Sequence, residues 1–95
     1  MESSYIASYT SLVGGELYNE VVACSEELDA IHHFNEWVYD LYTENHDTDG
    51  MTGSQICDKY VEFRRLNTKV GKNRIFKWEH GDEKYLIQVS NEPIL

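Results

Sequence analysis

SEELDAIHHFNEWVYDLYTEN, residues 25–45, is the longest stretch of the chain with an unbroken helical period. Leu28, Ile31, Phe34, Val38, Leu41 and Tyr42 recur at steps of three and four, which predicts an amphipathic helix with these side chains as its buried stripe. Ser25 stands where an N-cap belongs, and Glu26 and Glu27 then fall in the first turn, where the helix dipole favours negative charge. HDTDGMTG, residues 46–53, breaks the pattern, with Gly50 read as the helix-ending residue. TGSQICDKYVEFRRLNTK, residues 52–69, predicts a second helix. Thr52 and Gln55 match a capping box, Ile56, Tyr60, Phe63 and Leu66 mark the apolar face, and Arg64 and Arg65 suit the C-terminal end of the dipole. VGKN, residues 70–73, is expected to terminate it.

Both flanks of this helical pair are β-prone. YIASYT (5–10) and ELYNEVVACS (16–25) are joined by SLVGG, whose paired glycines can take the positive φ of a hairpin turn. NRIFKWEHGDEKYLIQVS (73–90) predicts a second hairpin turning near Gly81, with Phe76, Trp78, Tyr85, Ile87 and Val89 on one face. The expected order is ββααββ. The fold class is α+β, a small antiparallel sheet from two hairpins with both helices packed on one face. At 95 residues, 41% hydrophobic and 13% aromatic, a single compact domain spanning 1–95 is expected.

Charge is distributed unevenly. Through Asp58 the chain carries twelve acids and no Lys or Arg; after it come five acids and all eight bases, for a formal net charge of −9. The first half therefore cannot supply phosphate contacts, which argues against direct binding of nucleic acid. No apolar run approaches the roughly 20 residues of a membrane span. The opening MESSYIASYT lacks the basic and apolar regions of a secretory signal, so a cytoplasmic location, in a host cell, is the expectation. Cys24 and Cys57 are then expected to be reduced thiols.

On a helical wheel Glu26, Asp29, His33, Glu36, Asp40 and Glu44 fall in one band, opposite the Leu/Ile/Val stripe, with no cation among them. Like charges at i,i+4 destabilise a helix by roughly 0.2–0.5 kcal/mol per pair, and a face selected only for stability normally mixes signs. One reading is a solubility device. The sharper one is that Glu26, Asp29, Glu36, Asp40 and Glu44, continued by Asp47 and Asp49, meet the basic groove in which another protein holds nucleic acid. Complementary fields of that kind speed encounter and confer specificity. Trp37 and Tyr39 are the aromatic anchor candidates.

Other chemistries fit less well. Asn45, Asp47, Asp49 and Gly50 match the first half of an EF-hand loop, but Thr52 and Ile56 stand where an apolar residue and the closing glutamate belong. A calcium- or metal-responsive interaction module is the alternative this leaves open, as is a structural or adaptor role. Asp29, His33, Glu36 and Asp40 offer two or three ligands on one helical face, with no partner from a second helix. The chain has no G-x-S-x-G, no phosphate-cradling glycine loop and no H-E-x-x-H, so an enzyme is not expected, nor a cofactor or bound metal.

Tyr5, Ile6, Ser8, Tyr9, Gly15 and Leu17, followed by the acid-rich helix, resemble the opening strand–turn–strand of the ArdA-type antirestriction proteins. The resemblance covers residues 5–44 and departs from the family at Val21 and Val22, where a bulky aromatic is usual. It implies a DNA mimic that blocks restriction enzymes, encoded by a phage or mobile element. In composition the chain is also similar to small phage inhibitors such as anti-CRISPR proteins. A homodimer, the basic half of one copy on the acidic half of another, is a further expectation.

Overall fold

The computed structural model describes the backbone of residues 2–94 and the side chains of residues 5–91. Strands β1 (Glu2–Val13) and β2 (Glu16–Cys24) precede helices α1 (Glu27–Asn45) and α2 (Gly53–Asn67), and β3 (Thr68–Val70), β4 (Arg74–His80) and β5 (Glu83–Ile94) follow. All five strands form one antiparallel sheet in the order β2-β1-β5-β4-β3. The class is α+β, and the order is ββααβββ.

Two-residue turns set the outer hairpins. Val13 pairs with Glu16, leaving Gly14 and Gly15 between the strands at φ +61° and +80°. Positive φ at both central positions is what a type I′ turn requires. Gly81 (φ +63°) opens the second tight turn, where His80 pairs with Glu83. The two hairpins are joined by the long β1–β5 ladder, which runs from Glu2↔Ile94 to Leu12↔Lys84.

Period-two alternation then sorts the strands. Tyr5, Ala7, Tyr9 and Ser11 of β1 face the helices with Tyr85, Ile87 and Val89 of β5 and Phe76 and Trp78 of β4, as the paired registers require. The core closes on Ala30, Phe34, Val38, Leu41 and Tyr42 of α1 and Tyr60 and Phe63 of α2. Phe63 is its aromatic hub, with ring centroids 5.4 Å from Tyr42, 5.5 Å from Phe76 and 5.2 Å from Trp78. The capping box forms as its spacing predicts: Gln55 N–H donates to Thr52 Oγ1 at 3.2 Å and Thr52 N–H to Gln55 Oε1 at 2.9 Å.

Five expectations are corrected. The second helix ends at Asn67 rather than Lys69, and Thr68–Val70 pairs with Arg74–Phe76 as a third strand of the C-terminal sheet half. Three residues are too few to display a period of two, and VGKN makes the reversal, with Gly71 N–H donating to Asn73 O at 3.1 Å. Ser25 is not the cap. Glu26 occupies that position with extended backbone and no side-chain cap.

Leu28 is not buried but 76% exposed, and Ala30 takes the place in the core. Six residues before Phe34, Leu28 points roughly 120° away from it, whereas alanine lets the first turn approach the sheet. Leu66 is likewise out of the core, 65% exposed near the end of α2. Finally, α1 ends at Asn45 with His46 as an extended C-cap, and Gly50 (φ +78°) belongs to the loop, not to the helix end.

Candidate functional site

The acidic band lies on the flank of α1 that looks over β1 and β2. Trp37 fixes this orientation: half-buried, it packs on Tyr9 of β1 with ring centroids 6.0 Å apart, and His33, one turn earlier, lies 5.9 Å from it. Tyr9 continues the aromatic chain to Tyr18 on β2 at 5.9 Å. Asp29, Glu36, Asp40 and Glu44 are all exposed. Glu36 is followed by Asp40 and then Glu44 at four-residue steps, a rise of about 6 Å each. Glu26 precedes the helix and Asp47 and Asp49 follow it, all exposed. The acids thus run the length of a 19-residue helix, roughly 28 Å at 1.5 Å per residue.

Strand β2 adds to this charge. Its register sets Glu20 opposite Tyr9 and Tyr18 opposite Ser11, so Glu16, Tyr18 and Glu20 share the helix-facing side of an edge strand. The Tyr9 phenol reports the combination. Its pKa is raised, chiefly by partial burial, with a hydrogen bond to Ser11 acting the other way and the carboxylates of Glu44 and Glu20 adding to the rise. Groups from α1 and β2 therefore act on one ring. Sequence reasoning missed Glu16, Glu20 and Tyr18. The signal was their shared parity on a strand whose acids flank a tyrosine.

Among the described residues no Lys or Arg compensates the band. Among the described residues the one close contact between a basic and an acidic side chain is His32 Nε2 to Glu36 Oε1 at 2.9 Å, an ion pair only when the imidazole is protonated, and no Lys or Arg lies within salt-bridge distance of an acid of α1. The bases lie on α2 and along the stretch from β3 to β5, where Lys72 and Arg74 line one pocket with Glu27 at the start of α1.

Tyr39 is separated from Trp37. It is 41% exposed and meets Tyr60 of α2 edge-on at 5.1 Å, on the flank away from β2. The loop after α1 is held by its own polar groups. Asn45 Nδ2 donates to Leu41 O at 2.9 Å, His46 Nδ1 lies 2.9 Å from Tyr42 O, and Asp47 Oδ1 accepts Asp49 N–H at 2.9 Å. Among the described residues no three His, Cys, Asp or Glu side chains converge as a metal ion would require. Cys24 and Cys57 are both free thiols.

Fold and surface together define a two-layer α+β domain with an anionic helix flank, and no described helix is long and apolar enough to cross a membrane. Comparison with protein-family models, with curated proteins and with solved structures finds no match to the chain.

Proposed function

We propose that this protein is a binding protein rather than a catalyst, and that its anionic α1 flank occupies a positively charged nucleic-acid site on another protein. Asp29, Glu36, Asp40 and Glu44 stand in for phosphates, with Glu26, Asp47 and Asp49 at the two ends and Glu16 and Glu20 on β2 beside them. Trp37, at the edge of the band against β1, is the apolar anchor; Tyr39 contributes only where a partner also reaches across to α2. A DNA-mimic inhibitor from a phage or mobile element, acting in the cytoplasm of a host on a restriction or CRISPR-type defence complex, fits this chemistry and the ArdA-like opening.

The observation that carries the reading is the absence, among the described residues, of any Lys or Arg paired with the α1 acids. Folding gains nothing from such an arrangement, since like charges one turn apart repel. A cationic partner gains both encounter rate and register from it.

The test is competition. Purified type I restriction enzymes and CRISPR effector complexes are assayed for DNA binding with and without the protein, at low and high salt. Inhibition that salt weakens, and that Asp29→Lys, Glu36→Lys and Asp40→Lys together abolish in a folded variant, supports the proposal. Equal inhibition by that triple variant overturns it.

A further inference from the structure

The chain has three arginines, and all of them line one cavity beside the end of α2 and the start of β4. Arg64 and Arg65 come from the last turn of α2 and Arg74 from the start of β4; Val61, Thr68 and Val70 complete the wall, around a volume of about 270 Å³. We propose that this cavity is an oxyanion site for a small phosphate-bearing molecule.

Two of the three guanidinium groups, those of Arg64 and Arg74, are held in place before any ligand arrives. Arg64 Nη1 donates to Tyr60 Oη at 3.0 Å, and that hydroxyl donates in turn to Asn35 O of α1 at 3.0 Å. The Arg64 guanidinium carbon also lies 5.1 Å from the Tyr60 ring centroid, and that of Arg74 lies 5.9 Å from the ring of Phe34, a fully buried core residue. Cation–π contacts of this kind fix direction while leaving the outward N–H donors free. Among the described residues none of the three arginines is ion-paired, although Asp58 and Glu62 share α2 with two of them.

The helix dipole accounts for Arg64 and Arg65 at a C-terminal end. It accounts for neither Arg74 nor Thr68. Thr68 Oγ1 is buried without a hydrogen-bond partner, and a buried hydroxyl in that state is unfavourable unless something completes it. An oxyanion completes it, accepting from the hydroxyl and from guanidinium forks that match phosphate geometry. The volume selects the ligand's size. Small-molecule sites usually span roughly 300–1,000 Å³, so a cavity of about 270 Å³ suits one phosphoryl group with a small substituent against Val61 and Val70, and not a dinucleotide.

The experiment is a titration of the full chain with inorganic phosphate, followed by the arginine side-chain and Thr68 amide resonances. Sodium chloride at matched ionic strength is the control. The expected result is a saturable response confined to this cavity, weakened about tenfold or more by Arg74→Gln and several-fold by Thr68→Val. Arg65→Gln, at an exposed position, gives the same loss should Arg74→Gln fail to fold. A non-saturating response that chloride reproduces overturns the proposal, as does wild-type affinity in both Arg65→Gln and Thr68→Val. A dimer that phosphate dissociates also overturns it, since the cavity would then hold carboxylates of a second copy.

Discussion

Replacing Asp40 with lysine should stabilise the free protein while destroying its proposed interaction. Asp40 is exposed, four residues after Glu36 and four before Glu44; beyond the helix ladder its backbone carbonyl accepts Thr43 Oγ1 at 3.1 Å, and no described side chain bonds to its carboxylate. The substitution turns two like-charge i,i+4 neighbours into two opposite-charge ones. Each repulsion removed and each attraction gained is worth roughly 0.2–0.5 kcal/mol, and the pair in which Glu36 precedes the new lysine has the better orientation of the two. A net gain of about 1 kcal/mol raises Tm by roughly 4–8 °C in a domain of this size.

Salt separates this from helix propensity. The charges sit about 6 Å apart along the axis, inside a Debye length of about 10 Å at 0.1 M but outside one of about 3 Å at 1 M. Thermal unfolding followed by circular dichroism should therefore show most of the gain at low salt and little at about 1 M. A Tm that is unchanged or lowered at low salt refutes the premise that the helix carries uncompensated repulsion. If the gain appears but DNA competition persists, the repulsion is real and the docking surface lies elsewhere.

Further expectations concern the scaffold. Phe63→Ala removes the aromatic hub and should cost about 3–5 kcal/mol in denaturant unfolding, much of the total for so small a domain. Gly15→Ala forces a side chain into φ +80° and should cost about 1–2 kcal/mol, although a Cβ there meets nothing within 4 Å; Gly53→Ala, equally unobstructed and without positive φ, should be neutral or stabilising, both read as Tm shifts. Tyr85 is pushed up to about 12 from 10.0, first by burial and then by Glu83, whose carboxylate accepts its hydroxyl at 3.0 Å. Its contribution is fully present below pH 10 and lost as pH rises from 10 towards 12. Tyr85→Phe should therefore flatten the stability measured across that window.

The helices and the turns were readable because each rests on local chemistry. A capping box needs only Thr52 and Gln55, and a type I′ turn only Gly14 and Gly15. The face shared by Phe76, Trp78, Tyr85, Ile87 and Val89 followed from alternation alone, and the register places all of them together. What escaped depends on distance in sequence. Thr68–Val70 is a strand because β4 lies beside it, not because three residues declare it. Leu28 looked like core until the closeness of α1 to the sheet favoured Ala30. The acids of α1 were visible as a row, but Glu20 joins them only through the ladder between β1 and β2.

That outer strand has a consequence for the protein's own behaviour. One side of β2 is bonded to β1 and the other pairs with nothing described, while Leu17 and Val21 stand 73% and 58% exposed along it. Bare margins of this sort recruit further copies unless something repels them, and β2 has neither lysine nor proline for the purpose. Glu16, Glu20 and the neighbouring helix serve as gatekeepers instead, since every approaching copy brings the same sign. Acidification towards the sequence pI of about 4.7 should leave the margin least guarded, and light scattering should show association through β2 peaking there and falling again as the protein turns cationic.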